Sequence, residues 1–492
     1  MRVLLVQHAA ENREAYPLGL GYVAAVLVNA GHEVSFLDLA LESGDPAQIV
    51  IQRARRDRVA ALGFTLMTPQ YAEFLALARR FRPALPGATV IAGGAHPSAL
   101  PEETLRDGAV DVAVQGEAES TAVPLFAALE RGQGLEGAVF ASGRSLEDVP
   151  GVAFLDSAGS FHARPPAEPV RDLDGVPVPP FDLMRPAAYP GRLRGRRMAY
   201  VLASRGCPFH CLYCQRGPAS GRRFRPRSPE NVLCEIRRLH DDCGLSAFQF
   251  ADDIFTLQRE RTLALCAGIE ALPYSARWIC ETRADCLDEG LLAAMKRAGC
   301  VSIDIGVESG SEMILERLRK KISKERVRRA FRDCHRVGMP TRAFFMLGTP
   351  WETRETVRET IEFAREVKPT VSVFFLAMPY PGTELREAFV AAGRPFPAAW
   401  TDYRHFVEGG RFAGAAEDGE PGASWAGAAA ACRRATRAVV LGQIANVRGY
   451  PQLLHAWLTR YTAGETAARI ARRSWRSFAQ ARRPGGHAAE NP

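Results

Sequence analysis

The chain has 492 residues, of which 47% are hydrophobic and 24% are charged, and its formal net charge is +8. This length leaves room for two or three domains, and the composition is that of a globular protein rather than a disordered or fibrous one. No run of 18 or more apolar residues occurs, so no transmembrane helix is expected. The modest positive charge permits an anionic partner without requiring one, and no nucleic-acid partner is expected.

The N-terminus and the cysteines predict a cytoplasmic protein. Residues 1–7 begin a strand-like run and lack the small-residue cleavage site of a signal peptide. Most of the eleven cysteines are scattered along the chain rather than spaced as a disulfide framework, which suits a reducing compartment.

Residues 1–145 alternate between apolar runs typical of strands and patterns typical of helices. The strand-like runs lie at 3–6, 34–39, 59–65, 89–92 and 110–114, with helical patterns such as 20–30 and 71–81 between them. Near-continuous hydrophobic strands joined by crossover helices indicate a parallel sheet covered on both faces. Five such units predict a doubly wound, Rossmann-type α/β domain, whose ligands bind at the carboxyl ends of the strands.

Small and polar residues follow three of these strands and are the candidate ligand contacts. They are Thr65, Gly93, Gly94, His96, Gln115, Gly116 and Glu117. Glycine lets the backbone approach a large flat ligand closely. No Gly-x-Gly-x-x-Gly fingerprint follows the first strand, which weighs against a nicotinamide cofactor.

This combination resembles the N-terminal cobalamin-binding domain of the B12-dependent radical S-adenosylmethionine (SAM) enzymes. The resemblance implies that the loop residues just named contact cobalamin. Many such domains carry Asp-x-His-x-x-Gly after the first strand, and that histidine binds the cobalt. This chain has Gln7-His8-Ala9-Ala10-Glu11-Asn12 there, which implies cobalt without a protein histidine ligand. The alternative is a scaffold that has lost the cofactor, with His8 and His96 as structural residues.

Residues 146–196 are predicted to form a proline-rich linker. Nine prolines fall between positions 150 and 190. Because proline lacks an amide donor and has a fixed φ, this segment is expected to be extended connecting chain, although residues 152–155 are compatible with a short strand.

From residue 197 to residue 394 the alternation of strands and helices resumes. Strands are predicted at 199–204, 247–251, 276–281, 301–307, 341–347 and 371–378, and helices at 229–240, 259–271, 287–298, 324–337 and 355–367. Six parallel units are too few to close an eight-stranded barrel. As in such barrels, the chemistry is expected just after the strands.

Three cysteines follow the first of these strands. Cys207, Cys211 and Cys214 have the spacing C-x3-C-x2-C, and Tyr213 directly precedes the last of them. Thiolates are the ligands of iron–sulfur clusters, and three of them leave one iron of a [4Fe–4S] cluster open to another ligand. The alternatives are a structural zinc site, which usually has a fourth Cys or His at paired spacing, and three unrelated buried thiols.

This spacing resembles the signature of the radical SAM superfamily. The resemblance implies an open (β/α)6 partial TIM barrel and a [4Fe–4S] cluster on the three cysteines, which are then catalytic as well as metal-binding. It also implies that the open iron chelates the amino and carboxylate groups of SAM. One electron, from an external reductant such as flavodoxin or ferredoxin, then cleaves SAM to a 5′-deoxyadenosyl radical.

Polar residues after the second and third strands are predicted to bind SAM. Asp252 and Asp253 stand, by resemblance, in place of the family's Gly-Gly-Glu motif for the SAM amino group, and Asp253 is the favoured one. Capping of a helix is the alternative for this pair. Arg283 can grip a carboxylate with two hydrogen bonds, or it pairs with Asp285 at the surface.

The fourth and fifth strands are followed by two further motifs. Glu308 and Ser309, in Gly-Val-Glu-Ser, resemble a recurrent radical SAM motif and are expected to face the SAM ribose or amino group. Gly348 belongs to a motif that resembles the glycine-bearing segment packed on the adenine. Tyr213 is assigned to the SAM site as well.

Residues 395–492 predict a mostly helical C-terminal region. Helices are expected at 424–441 and 453–461, with a loop at 409–422 and a disordered end at 484–492. A basic amphipathic pattern at 469–483 can lie on an anionic membrane surface, and a solvated helix on the catalytic domain is the alternative.

Together these features predict a cobalamin-dependent radical SAM enzyme that methylates an unactivated carbon of a small molecule, such as a lipid, a tetrapyrrole or another secondary metabolite. By resemblance, the deoxyadenosyl radical abstracts a hydrogen and methylcobalamin delivers the methyl group. The alternatives are radical cyclisation, oxidation or rearrangement without methyl transfer, and a non-catalytic iron–sulfur protein.

Overall fold

A computed structural model describes residues 1–8, 14–131, 146–215 and 221–394, together with single residues and short pieces between 397 and 439. The loop expected at 409–422, the helix expected at 453–461, and the basic and disordered ends expected at 469–483 and 484–492 lie outside the described residues. Among the described helices, none is long and apolar enough to cross a membrane.

The first domain is built on a seven-stranded sheet. Its strands are β1 Arg2–Gln7, β2 Glu33–Asp38, β3 Ala61–Thr65, β4 Thr89–Gly93, β5 Val112–Val114, β6 Val152–Leu155 and β7 Phe161–Ala163. Their order is β2-β1-β3-β4-β5-β6-β7, and the first five are parallel. The order 2-1-3-4-5 is doubly wound, with its switch point between β1 and β3, so the predicted fold is confirmed.

Helices cover both faces of this sheet. They are α1 Leu18–Asn29, α2 Pro46–Arg56, α3 Tyr71–Phe81, α4 Ala95–Ala99, α5 Pro101–Arg106 and α6 Ala118–Arg131. Side chains of a strand alternate between faces. In β1, Val3 and Leu5 therefore join one buried cluster, whereas Leu4 and Val6 join the other. This is why the strand appears in the sequence as an unbroken apolar run.

The proline-rich segment contributes to this sheet rather than only connecting two domains. Residues 152–155 form β6, as their sequence allowed, and β7 was not predicted. Both strands pair antiparallel at the edge next to β5, and Phe154 is fully buried. A short helix, α7 Phe181–Met184, follows.

The second sheet forms the partial barrel. Its strands are β8 Arg192–Leu193, β9 Arg196–Val201, β12 Ala247–Phe250, β13 Arg277–Thr282, β14 Cys300–Glu308, β15 Thr341–Leu347 and β16 Val371–Leu376, and β10 Ser204–Arg205 with β11 Arg225–Pro226 forms a separate ladder. The order is β16-β15-β14-β13-β12-β9-β8. All pairings are parallel except the β8–β9 hairpin, and β16 and β8 stand at opposite edges. The sheet is open, as predicted.

Helices alternate with these strands. They are α8 Pro229–Cys243, α9 Arg259–Glu270, α10 Glu289–Arg297, α11 Glu312–Arg317, α12 Lys324–Val337, α13 Arg354–Val367 and α14 Glu384–Ala391. Side chains of Ser228, Asp288, Ser323, Thr353 and Thr383 accept N–H groups in the first turns of five of them, which fixes where those helices begin.

The two sheets share one buried core, and polar contacts join them as well. The Tyr16 hydroxyl donates to the Tyr200 carbonyl oxygen at 2.7 Å. Tyr189 donates to Asp38 at 2.6 Å, between the linker and the end of β2. The carboxyl ends of the two parallel sheets are thereby held against a common cavity.

Candidate active site

The cysteines lie in a loop that starts and ends at the β10–β11 ladder. Arg205 in β10 pairs with Arg225 in β11, so the loop begins and ends at neighbouring positions of this ladder. Gly206 opens the loop with a φ of 80°, and a Cβ there would lie 2.2 Å from the carbonyl oxygen of Arg223. Glycine is therefore required at this position.

The far side of the loop is fixed through Leu212. Its N–H donates to the Leu318 carbonyl oxygen at 3.2 Å, and its own carbonyl oxygen accepts the Leu385 N–H at 2.9 Å. Its side chain is buried with Ile314 and Phe389. The cysteine loop is thus held by the segments that follow β14 and β16.

The three cysteines are half-buried and unbridged. Burial raises the pKa of the Cys207 thiol, and negative charge on Cys214, Asp253 and Cys211 raises it further, which places these groups in one neighbourhood. Thiols of this kind need a cation to hold them as thiolates. Across the parts of the chain that the structure describes, no three His, Cys, Asp or Glu side chains are grouped tightly enough to hold a single metal ion. Three thiolates in one loop are a donor set that suits an iron–sulfur cluster.

Arg283 supports this loop from β13. It pairs with Asp285 through two hydrogen bonds of 2.9 Å, and its guanidinium lies 3.7 Å from the centre of the Phe209 ring, between the first two cysteines. The pair is buried rather than at the surface, since Arg283 is 5% exposed. Its Nη1 is buried and has no hydrogen-bond partner among the described residues, so it can donate to an anion beside the cysteines.

A buried polar group surrounds Glu308 at the end of β14. Its Oε1 accepts from the Tyr213 hydroxyl at 2.9 Å and from Lys320 Nζ at 2.8 Å, and these two donors lie 3.2 Å apart. Burial raises the pKa of Tyr213, and the nearby charge of Glu308 raises it further. Glu308 has a φ of 70°, an uncommon conformation that is often found at functional sites.

Lys320 was not predicted from the sequence. Lys320 is one of three consecutive basic residues, and the sequence does not show which of their side chains is buried. Its neighbours Arg319 and Lys321 both have positive φ, 52° and 51°, and remain exposed, whereas Lys320 is 4% exposed.

The two adjacent aspartates have different surroundings. Asp252 is fully buried and accepts the Ala203 N–H at 2.8 Å and the Ser204 hydroxyl, and burial raises its pKa to about 6. It ties the end of β12 to the end of β9 and is not among the residues that line the cavity. Asp253, in contrast, does line the cavity.

Ser309 is also engaged elsewhere. Its hydroxyl lies 3.0 Å from Thr360 Oγ1 and accepts the Ser311 N–H at 3.1 Å, and the residue is fully buried. Ser309 therefore shapes the turn into α11. Its hydroxyl contacts Thr360 and Ser311 rather than the Glu308 carboxylate.

Gly348 lies where β15 meets the C-terminal region. Its φ is 91°, and a Cβ there would lie 2.6 Å from Ala428 Cβ. Its N–H donates at 2.5 Å to Glu352, whose Oε1 has no hydrogen-bond partner, and burial raises the Glu352 pKa to about 8.

One cavity spans the carboxyl ends of both sheets. It encloses about 1350 Å³ of space, including its open mouth, and its walls come from four strands, two helices and the barrel. The lining includes Leu5, Gly63, Thr65, Ile91, Gly93, Gly94, Val114, Gly116 and Glu117 from the sheet side, Leu18, Tyr22, Glu119, Ala122 and Phe126 from the helix side, and Ser204, Arg205, Ala251 and Asp253 from the barrel.

The cavity wall is mostly apolar, with closely packed backbone at the strand ends. Gly94 has a φ of 103°, and a Cβ there would lie 2.8 Å from the Leu66 carbonyl oxygen and 3.0 Å from Thr65 Oγ1, so backbone forms the rim. Gly63 also lines the cavity, and a Cβ there would lie 2.7 Å from Leu5 Cδ2. Apolar pockets with a few placed polar groups are typical of cofactor sites.

Two of the seven expected cobalamin contacts do not line this cavity. His96 is fully buried, stacked 3.9 Å from Tyr71 with Trp400 at its edge, and burial lowers its pKa to about 4. The backbone N–H of Gln115 donates to the Gly151 carbonyl oxygen, and its side-chain Nε2 is buried with no hydrogen-bond partner among the described residues. No histidine is among the described lining residues.

Two family models match the chain. Residues 201–364 match the radical SAM superfamily, and residues 10–126 match the B12 binding domain.

Several characterised and uncharacterised proteins are similar over most of the chain. An uncharacterized methyltransferase of Pyrococcus horikoshii is 30% identical over 391 residues, 79% of this chain and 81% of the relative. Cytidylyl-2-hydroxyethylphosphonate methyltransferase of Streptomyces wedmorensis is 27% identical, covering 77% and 79%. Anaerobic magnesium-protoporphyrin IX monomethyl ester cyclase of Rubrivivax gelatinosus is 27% identical, and the match covers 75% of this chain but only 65% of that enzyme.

Solved structures share the fold. The radical SAM methyltransferase TsrM of Kitasatospora setae, with tryptophan and a SAM analog bound, superposes with a TM-score of 0.64 at 22% identity, covering 80% of this chain and 77% of TsrM. The cobalamin-dependent SAM radical enzyme OxsB, with aqua-cobalamin bound, gives 0.64 at 20% identity, covering 74% and 52%.

Proposed function

The chain belongs to the radical SAM superfamily and carries a B12 binding domain, and from this premise we propose that it methylates an unactivated carbon of a small molecule. It is an enzyme whose cofactors are a [4Fe–4S] cluster, SAM and cobalamin. The observation that supports methyl transfer best is a cavity shared by the two domains. Strand ends of the B12 binding domain and Asp253 of the barrel line the same space.

We propose the following roles for the residues of the site. Cys207, Cys211 and Cys214 hold the cluster, Asp253 holds the SAM amino group, and Glu308 faces the SAM ribose or amino group. When bound, the cluster and SAM supply the 5′-deoxyadenosyl radical, and cobalamin supplies the methyl group. The apolar walls keep bulk water out of the reacting space, as closed active sites do to prevent side reactions.

Around the cofactors, the protein supplies positioning and charge. Lys320 and Tyr213 hold the Glu308 carboxylate in one orientation. Arg283 keeps Phe209 in place and offers its remaining donor to the SAM carboxylate or to the cluster. Glycines 93, 94 and 116 form the cobalamin rim with Thr65 and Glu117. An external one-electron donor, such as flavodoxin or ferredoxin, is the expected partner.

The radical chemistry is tested by anaerobic reconstitution with iron and sulfide, followed by SAM and titanium(III) citrate. We expect 5′-deoxyadenosine from the wild-type protein and a rise of about tenfold or more in the KM for SAM in Asp253→Asn, equal to ~1.4 kcal/mol of binding. Asp252→Asn is the matched control and should lower stability with little change in KM. A wild-type protein with full iron that makes no 5′-deoxyadenosine would overturn the proposal.

Cobalamin binding is tested at Gly63, which lines the cavity. A Cβ there would lie 2.7 Å from Leu5 Cδ2, so Gly63→Val forces the Leu5 side chain, another lining residue, to move. We expect the variant to bind cobalamin at least about tenfold more weakly while its iron content and 5′-deoxyadenosine formation stay unchanged. If the wild-type protein makes 5′-deoxyadenosine but binds no cobalamin, methyl transfer is excluded.

Radical cyclisation without methyl transfer is the second candidate, because three of the similar proteins are anaerobic magnesium-protoporphyrin IX monomethyl ester cyclases. SAM carrying a trideuterated methyl group separates the two reactions. A methyltransferase leaves the deuterated methyl group in the product, whereas a cyclase product contains none.

A further inference from the structure

Two arginines face each other in the ladder beneath the cysteine loop. Arg205 in β10 is the direct partner of Arg225 in β11. Their side chains are only 11% and 4% exposed. Like charges directly opposite in an antiparallel pair destabilise it, and buried cations need counterions. The ladder therefore needs negative charge from elsewhere in the molecule.

That charge comes from the B12 binding domain. Glu119 Oε1 accepts from Arg205 Nη2 at 2.6 Å, and Glu117 accepts from both terminal nitrogens of Arg225, with 2.8 Å between Nη1 and Oε2. Glu117 also lies 3.6 Å from Arg205. The side chains of both glutamates are under 8% exposed. We use the name ionic clamp for the four residues Arg205, Arg225, Glu117 and Glu119. Its two positive and two negative charges balance.

The ionic clamp connects the cavity wall to the cysteine loop. Arg205, Glu117 and Glu119 line the cavity, and Arg205 also lies over the Tyr22 ring at 4.9 Å. Arg205 precedes Cys207 by two residues. Gly206 between them packs so closely beside the Arg223 carbonyl oxygen that a Cβ would lie 2.2 Å from it, so a shift of Arg205 is expected to move the first cysteine.

We propose that the ionic clamp is a positioning device that sets the distance between the cobalamin side of the cavity and the cluster. This inference rests on the proposed function, because it needs both cofactors. Paired guanidinium–carboxylate contacts fix geometry as well as charge. Reactions between held groups are sensitive to such geometry, and a misplacement of about 1 Å can cost on the order of 100-fold in rate.

The test measures the distance directly and needs no substrate. Protein with a reduced cluster and added cob(II)alamin holds two unpaired spins, and pulsed dipolar EPR gives their separation. We expect one narrow distribution for the wild type, and a broadened distribution or one shifted by about 1 Å or more for Glu119→Gln. Asp111→Asn is the matched control, since it neutralises the carboxylate of the forked Arg82–Asp111 pair inside the first domain, and neither residue lines the cavity. It should match the wild type.

An unchanged distance distribution in Glu119→Gln, with the cluster and cobalamin both bound, would overturn the inference. If Glu119→Gln does not fold, Arg205→Lys, which keeps the charge but loses the forked geometry, takes its place and should show the same broadening. If the wild type binds no cobalamin, the proposed function fails first, and the inference fails with it for that separate and visible reason.

Activity gives a second readout once a substrate is known. In Glu119→Gln, the number of 5′-deoxyadenosine molecules formed per methylated product should rise about tenfold or more, because radicals are made but not used. A parallel fall of both products, with an unchanged ratio, would show a merely structural role for the ionic clamp.

Discussion

At the scale of single residues, the charged groups of the site are balanced in different ways. Glu308 is neutralised by Lys320, and Arg283 by Asp285, each within a buried pair. Glu352 is buried with backbone N–H donors and, in the part of the chain that the structure describes, has no cation beside it. The desolvation penalty of a buried carboxylate is offset less by hydrogen bonds alone than by a paired cation. These residues should therefore respond differently to substitution.

Lys320→Met should leave the Glu308 carboxylate buried without its cation. We expect a loss of about 3 kcal/mol in stability and a rise of about tenfold or more in the Kd for SAM. Chemical denaturation and anaerobic SAM titration measure the two effects. Lys321→Met, next to it and exposed, is the control. Equal behaviour of the two variants would show that the inward-facing lysine has no special role.

Glu352 predicts a pH effect. Its folded pKa of about 8 lies above the ordinary value of 4.5, so the folded state binds the proton more tightly than the unfolded state. This stabilisation is complete below the ordinary pKa and is lost as the pH rises towards 8, by at most about 1.4 kcal/mol per pH unit. Glu352→Gln should flatten the decline in unfolding free energy between pH 5.5 and pH 8. Identical slopes for variant and wild type would contradict this assignment.

Sequence position predicted some of these residues and not others. The cysteines and Glu308 follow strands of a parallel sheet, whose carboxyl ends meet at one edge. Position alone does not tell which way a side chain turns within a loop. Asp252 and Asp253 are neighbours, yet one ties two strands together and the other lines the cavity. Lys320 is chosen by local backbone geometry that a run of cations does not reveal.

At the scale of elements, long periodic segments were predicted well and short ladders were not. The helices Tyr71–Phe81 and Lys324–Val337 and the strand Thr341–Leu347 have the predicted bounds, because several turns or pleats repeat the apolar pattern. The ladder β10–β11 has only two residues in each strand, too few for any period. Yet this ladder carries the cysteine loop.

Gly206→Ala tests the entry to that loop. A Cβ would meet the Arg223 carbonyl oxygen, so we expect the ladder to open and the iron content after reconstitution to fall by more than half. Gly195→Ala is a matched control, since Gly195 also has a φ near 80° but no atom within 4 Å of the added Cβ. It should lose only about 1 kcal/mol of stability and keep its iron. Full iron in Gly206→Ala would show that the loop tolerates displacement.

At the scale of the whole molecule, the assembly of the cavity could not be predicted. Its walls depend on contacts such as that between Tyr16 and Tyr200, 184 residues apart in the chain. Local patterns identify the two domains, but they carry no information on which strand ends face one another. The ionic clamp is of the same kind, because its members are ordinary charged residues until the domains meet.

The described pieces of the C-terminal region belong to the core of the barrel. Ala428, Cys432 and Val439 are at most 2% exposed, and Tyr403 is 1% exposed. A chain ending at residue 394 should therefore lose on the order of 5 kcal/mol through exposed apolar surface. Thermal unfolding measures the loss, and removal of residues 484–492, expected from the sequence to be disordered, is the control. Equal melting temperatures for the two truncations would contradict this packing.

The pair of facing arginines also limits how this architecture can be recombined. A chimera that grafted residues 197–394 onto an unrelated corrin domain would inherit two buried cations with no acidic partners, directly beneath its cysteines. Such a graft would have to bring residues 115–119 with it, or replace both arginines by neutral side chains. The barrel therefore cannot be exchanged on its own. The segment that has to be transferred with it includes residues of the preceding domain.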